Sequence, residues 1–339
     1  MRFALDAEQM TFGRSLDRMF AAADTPSAVR AWARGEHGPG RVLWRRAADA
    51  GVFTLAAPGA FGGVGPLPVE LGVAFVEFGR HCVPGPLVET VAATALLTRL
   101  AAAGEAAPAK EWVPRVCAGQ ARVTLAAPAA GPYALDADAA DAVFVVTGGE
   151  ESAVLRLASG HGPVRPSVDP ARRLALPAVD GEPLAAGPAV REAAAHAGLW
   201  AAFATAAQAL GVGHALLDRT VAHAGRRVQF GAVIGSFQAV KHRLADALIG
   251  LEFARPLLYG AAVALAADSP GARAEVAAAK AAACDAAYAA ARTALQVHGA
   301  IGYTSEYDLS LWLGKARALR QAWGAPEDCR RAALELFHQ

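Results

Sequence analysis

The sequence predicts a mainly helical chain in three parts. These are an N-terminal helical domain over 1–117, a small β domain over 118–190 and a C-terminal antiparallel four-helix bundle over 191–339. Two observations carry the division. Apolar residues recur at helical spacing in the first and last parts. Between them lie short runs rich in Val and Leu, separated by Gly, Pro and Asp, which is the punctuation of strands and turns. A third observation bounds the size: 54% of the 339 residues are hydrophobic, enough for a sizeable core in two or three compact units.

The first part opens with "AEQMTFGRSLDRMFAAA", where Met10, Phe12, Leu16, Met19 and Phe20 fall near helical spacing. "GRVLWRRAADAGV" predicts a second helix, with Val42, Leu43, Ala47 and Ala50 on one face and Gly51 placed to end it. Gly62, Gly63, Gly65, Pro66 and Pro68 mark a loop between apolar runs. Two further apolar helices follow. In the middle part, "ARVTLAA", "DAVFVVTGG", "SAVLRLA" and "RRLALPAV" read as strands. Asp136, Asp138 and Asp141 read as a solvated polar loop. The last part predicts long helices over 192–225, 236–267, 271–298 and 306–321, with a short tail helix after Pro326. In the second of these, Phe237, Val240, Leu244, Leu248 and Leu251 form one apolar stripe. The third is dominated by Ala, and small side chains let helices approach closely.

Composition excludes several function classes. A net charge of +1 with scattered arginines marks no nucleic-acid or membrane-surface binder. Cys82, Cys117, Cys284 and Cys329 lie far apart with no C-x-x-C, so reduced intracellular thiols are expected and no zinc site. No H-E-x-x-H is present, and no metal is expected. "GGVG" at 62–65 lacks the G-K-[ST] of a phosphate loop. "MRFALDAEQM" has no uninterrupted apolar h-region, and stretches such as "LLYGAAVALAA" are too short to span a bilayer. A cytoplasmic protein is expected.

Two segments are specific: "RRVQFGAVIGSFQAVKHRLAD" and "QVHGAIGYTSEYDLSLWLGKAR". Together with "LWRRAADAGVFTLAAPGAFGGVG" they resemble the acyl-CoA dehydrogenase family. Its members carry an Arg-x-x-Phe-Gly turn, a following Phe-Gln, a later Gln-x-x-Gly-Gly-x-Gly-Tyr, and an N-terminal Gly-Gly-x-Gly loop. The resemblance covers nearly the whole chain and is weakest in the middle. It implies the fold just described and FAD bound across a subunit interface. On that reading Arg227 meets the pyrophosphate with a guanidinium suited to phosphate oxygens. Gln229 and Phe230 line the same turn, and Gln238 reaches the adenosine or pyrophosphate side. Gln296, Gly299, Ala300 and Gly302 form a second wall, where small residues let the backbone approach. His242 and His298 read as packing or cofactor-edge residues, and Trp312 and Trp323 as core or interface anchors.

The departures are as informative. The family takes the α proton of an acyl-CoA with a carboxylate. Counted without gaps from Gln296, one family position for that base falls at Trp323, and Glu327 lies a helical turn beyond it. The other falls at Ala201. Neither holds an acid, so no catalytic residue is assigned. The family's Thr-Glu-Pro-x-x-Gly-Ser-Asp stretch, which helps hold flavin and acyl-CoA, is reduced to "LAAPAAGPYALD", where only Pro128 and Gly131 survive. The β domain is also short for the family. The resemblance therefore implies the short, non-catalytic subunit of an actinobacterial heteromeric enzyme of steroid side-chain type. Its partners would be a full-length catalytic subunit in a heterotetramer, an acyl-CoA substrate and an electron-transfer flavoprotein. A scaffold or acyl-CoA-binding protein, which would hold no flavin, and a self-sufficient flavoenzyme with another base are the alternatives.

Overall fold

The computed structural model describes residues 4–149 and 152–337. Residues 1–3, which open the segment read above as lacking an h-region, lie outside it, as do 150, 151, 338 and 339. The fold is that of the expectation: a helical N-terminal domain, a small sheet domain and a helical C-terminal domain.

The first domain holds α1 (Ala7–Ala21), α2 (Thr25–Ala33), α3 (Gly38–Asp49), α4 (Pro68–Arg80), α5 (Leu87–Ala102) and α6 (Ala107–Cys117). Asp6 starts α1 by accepting the Gln9 N–H at 2.8 Å, while the Gln9 amide oxygen accepts the Asp6 N–H, a reciprocal cap. Gly51, in the left-handed region at φ 78°, ends α3 where the sequence places it. Strands follow: β1 (Val123–Ala126), β2 (Ala134–Leu135), β3 (Ala142–Thr147), β4 (Val154–Leu157), β5 (Leu174–Ala175) and β6 (Pro183–Ala186). Four of them form a sheet in the order β1-β3-β4-β6, with β1 and β3 parallel and the other pairs antiparallel; β2 and β5 pair separately.

The C-terminal domain is built from α7 (Pro188–Ala224), a hairpin of β7 (Val228–Gln229) and β8 (Ala232–Val233), α8 (Gln238–Ala266), α9 (Ala272–His298), α10 (Leu309–Gln321) and α11 (Pro326–Phe337). Helix α7 is covered on every side, by α4 and α5 of the first domain and by α8, α9 and α10 of its own. It crosses α4 at two glycines. A Cβ on Gly79 would stand 2.0 Å from the Gln208 carbonyl oxygen, and one on Gly211 1.9 Å from that of Val76. Backbone therefore meets backbone. Helices α7 and α8 are each long and apolar enough to cross a membrane by composition, but α7 is interior here.

The predicted stripe on α8 needs correction. Of its five residues only Leu251 is fully buried, while Leu248 and Phe237 are exposed. The buried stripe is Ala247, Leu251, Ala254, Leu258, Ala261 and Leu265. The opposite side carries Leu248, Ile249, Phe253, Leu257 and Val263 to solvent, so the helix is apolar nearly all round.

Two of the three aspartates read as solvated are also corrected: Asp136 and Asp138 join the first domain to the second, while Asp141 is exposed as read. Asp136 is fully buried, and Oδ1 accepts the Trp32 Nε1–H of α2 at 3.1 Å. Arg173 donates to Asp138 at 2.7 Å and to the Ala33 carbonyl at 3.0 Å. Asp141 accepts from Arg122 at 2.8 Å. Burial pushes the Asp136 carboxyl up to about 7, with Glu89 nearby adding to the rise and the Trp32 and Arg173 donors opposing it. A carboxyl whose folded pKa lies above its unfolded value binds more protons when folded. Stability is then greatest at low pH and falls as pH rises from about 4 toward 7. Asp136→Asn keeps the acceptor for Trp32 and removes the buried charge. It should raise the melting temperature by several degrees at pH 8 and by much less at pH 5, measured by scanning calorimetry. An equal gain at both values would show Asp136 ionised throughout that range.

Candidate cofactor interface

Antiparallel packing brings three of the predicted segments to one end of the bundle, since α7 and α9 finish there and α8 begins there. His223 near the end of α7 stacks on His298 at the end of α9, ring centroids 4.1 Å apart. Burial and the neighbouring His298, Arg227 and Arg226 hold His223 below the usual histidine range. Arg243 of α8 donates to the side-chain oxygen of Gln296. Arg227, Gln229, Phe230, Gln238, Gln296, Gly299 and Ala300 are all exposed at this end. Gly302 is buried instead. A Cβ there would sit 3.3 Å from His298 and Leu295, so its lack of a side chain serves the turn that follows α9. His242, read as a packing or cofactor-edge residue, is exposed; His298 is buried, with Nδ1 at 2.8 Å from the Ala294 carbonyl oxygen.

The hairpin explains the Gln-Phe-Gly order. Gln229 pairs with Ala232 across a two-residue turn, and Phe230 and Gly231 both have positive φ, 51° and 75°. That is the turn whose twist suits a tight hairpin, and glycine takes it without strain. A bulky Phe at positive φ is strained, and its ring is 94% exposed. Val228, Val233, Ile301 and Tyr303 are exposed around the same end. The sequence reading missed this apolar set, because a single exposed Val or Ile carries no signal until the fold assembles it.

The two family base positions are interior. Ala201 lies on α7 with no exposed surface. Trp323 is 6% exposed, has φ 55°, and donates its indole N–H to Glu89 Oε1 of α5 at 3.1 Å. The turn after α10 is fixed further by the buried Lys280, whose ammonium donates to the carbonyls of Leu319 at 3.2 Å and Gly324 at 2.8 Å. The other acids of the region are engaged or turned outward. Arg320 donates to Glu327 at 2.8 Å, Arg30 donates to Asp308 at 2.7 Å, and Glu306 is exposed.

The stretch containing Pro128 and Gly131 faces the same turn across a cavity of about 290 Å³, with Leu125, Ala130 and Tyr133 on one wall and Ala318, Gln321 and Trp323 on the other. A second cavity of about 450 Å³ lies along α10. Val168 and Arg317 line both, and between them a β-domain strap lies against α10. A Cβ on Gly314 would be 2.9 Å from the Val168 carbonyl oxygen, and Lys315 meets Asp169 at 3.0 Å in a buried ion pair. Burial alone would lower the Lys315 pKa, and Asp169 together with Cys82 more than offsets it. The outer face of this stretch forms an apolar groove of about 410 Å³ where Thr147 is the one polar side chain. The strap and the apolar groove do not suit a polar flavin ring. The exposed arginine and glutamines at the bundle end do suit a pyrophosphate.

Among the described residues one His/Asp/Glu group is tight enough to hold a metal: Asp17, Glu77 and His81. His81 Nε2 stands 2.8 Å from Asp17, and Arg80 already supplies a positive charge 3.7 Å from Glu77 Oε2. It belongs to α1 and α4, apart from the segments above.

Comparison with known proteins fits this geometry. Residues 6–120 match the acyl-CoA dehydrogenase N-terminal domain and residues 191–333 the C-terminal domain. The acyl-CoA dehydrogenase IpdE2 of Mycobacterium tuberculosis is 34% identical over 90% of this chain and 90% of its own length. The structure of the ChsE4–ChsE5 complex from Mycobacterium tuberculosis superposes with TM-score 0.86 at 26% identity, covering 100% of both chains. The Tcur3481–Tcur3483 steroid acyl-CoA dehydrogenase superposes at 0.82 with 25% identity over 98% of both. The fold holds FAD in a solved neighbour. The matched domains, the whole-length relative and the shared architecture place this chain in the acyl-CoA dehydrogenase family of flavin-dependent oxidoreductases.

Proposed function

We propose that this chain is the non-catalytic subunit of a heteromeric acyl-CoA dehydrogenase, lending FAD contacts across an interface to a full-length catalytic partner. One asymmetry carries the reading. Of the residues matching contacts lent to a neighbour, all but the buried Gly302 face outward, while both base positions are interior and hold Ala201 and Trp323. The relatives solved as the two-component ChsE4–ChsE5 and Tcur3481–Tcur3483 assemblies support it, and the second points to a steroid-derived acyl-CoA. The setting is cytoplasmic, and an electron-transfer flavoprotein is the fitting acceptor for the electrons.

The chemistry that FAD supplies is acceptance of a hydride from the acyl Cβ. This chain's share is binding and orientation. The Arg227 guanidinium pairs with the pyrophosphate, and Gln229, Phe230 and Gln238 flank it on the hairpin and the start of α8. Gln296, held by Arg243, forms the opposite wall with Gly299 and Ala300. The exposed stripe of α8, with Ile249, Phe253 and Leu257 at four-residue spacing, docks the partner. The α proton goes to a carboxylate of that partner.

Three outcomes test this. Purified alone, the chain should hold little FAD, and co-purified with its partner it should be yellow; stoichiometric flavin absorbance on the lone chain overturns the proposal. A charge-assisted contact is worth about 1.5–3 kcal/mol, so Arg227→Ala in the complex should weaken FAD retention roughly tenfold or more while assembly persists. Unchanged flavin content would make Arg227 a surface charge only. Acyl-CoA oxidation with an artificial acceptor at matched flavin loading locates the base. Glu327→Gln, Glu306→Gln and Asp308→Asn should leave kcat within a few fold, whereas removing the partner's base should cost about 10²–10⁴-fold. An essential acid on this chain would make it self-sufficient.

A further inference from the structure

We propose that the cavity beside Trp323 binds a small hydroxycarboxylic acid. The cavity lies between the β domain and α10, where Glu89, Tyr133, Ser167, Arg172, Arg317 and Gln321 meet apolar walls. Its polar groups are unsatisfied in a consistent way. Glu89 is 3% exposed; Oε1 accepts from Trp323, and Oε2 is buried with no hydrogen-bond partner. Arg172 is largely buried, yet its guanidinium comes no nearer than 3.9 Å to Glu89 and makes no hydrogen bond among the described residues. Arg317 stands at the exposed mouth and forms no ion pair among the described residues.

An unpaired buried carboxylate oxygen calls for a donor, and a buried guanidinium calls for an acceptor. Two arginines against one glutamate leave one positive charge over. A single carboxylate neutralises it, with the bidentate geometry that guanidinium favours. A hydroxyl on the same molecule supplies the donor for Glu89, and its hydrocarbon part meets Leu125, Leu135 and Leu174. About 290 Å³ matches a molecule of roughly ten to fifteen heavy atoms, well short of a whole coenzyme A thioester. The site shares no residue with the bundle-end set around Arg227 and Gln296.

Mandelate is a fitting probe, with phenylacetate as the same molecule lacking the hydroxyl. Titration calorimetry on the full-length chain should show saturable mandelate binding in the millimolar range or tighter. Phenylacetate should bind at least about fivefold more weakly, and Arg172→Gln and Arg317→Gln should each weaken mandelate about tenfold. Glu89→Gln retains an acceptor for Trp323 and should narrow the preference for mandelate over phenylacetate. Circular dichroism confirms that each variant folds. Absence of saturable mandelate binding, or binding indifferent to both arginine substitutions in folded variants, overturns the proposal.

Discussion

The contact on which the structure most depends is the crossing of α4 and α7 at Gly79 and Gly211. Each glycine meets a carbonyl of the other helix at a distance no Cβ tolerates, so the first domain and the bundle share one interior. The consequence for α7 is that no side of it reaches water through its middle. Between Glu192 and Asp218 it carries no Asp, Glu, Lys or Arg, only alanines and apolar residues with His196, Thr205, Gln208 and His214 as polar exceptions. A carboxylate at Ala201 would be buried with no partner named by the fold, at a cost of several kcal/mol. Dryness of the interior and absence of a base on α7 are one fact seen from two sides.

The other base position follows a different physical route to the same end. Trp323 occupies a left-handed backbone conformation, which costs a bulky residue about 1–3 kcal/mol. Its burial, its hydrogen bond to Glu89 and the Lys280 contacts to the carbonyls of Leu319 and Gly324 hold it there. The turn after α10 has become an anchor between the bundle and α5. Nearby, the strap held by Asp169 and Lys315, part of the long loop between β4 and β5, draws the β domain onto α10. Restoring an acid at Trp323 alone would set it against Glu89 and remove the indole that anchors the turn.

Periodicity made the helices legible, and so did the order of the three parts, because long apolar repeats and Gly or Pro breaks are local properties. The turn at Phe230 and Gly231 was legible as well, but the two short strands that make it a hairpin were not. The orientation of α8 was not. Its sequence is apolar on nearly every face, so spacing alone offers several stripes, and only packing against α7 and α9 selects Ala247, Leu251 and Leu258 over Leu248 and Phe237. Asp136 and Asp138 were misread for a related reason. Their partners, Trp32 and Arg173, are 104 and 35 residues away in the chain, and no local pattern announces them. Glu89 and Arg172 escaped notice because an acid inside "PLVETVAATALL" and an arginine beside β5 acquire meaning only when the turn at Trp323 falls between them.

On the proposed reading, helix α8 would tie cofactor contact to assembly. Its first turn carries Gln238 and follows directly on the hairpin that presents Arg227 and Phe230. About three to five turns further on, the same helix turns Ile249, Phe253 and Leu257 to solvent. Large exposed apolar side chains at four-residue spacing form a docking stripe when a second chain covers them. In the lone chain Phe230 and Phe253 remain in water, 94% and 72% exposed. Covering them on assembly contributes at roughly 25 cal/mol per Å². Because the hairpin leads into the helix that carries the stripe, a partner seated on α8 would, on that reading, fix the position of Arg227 and Gln238 relative to itself. Cofactor contact and docking would then strengthen each other through that helix and the hairpin before it, and neither set of residues would need to bind strongly alone.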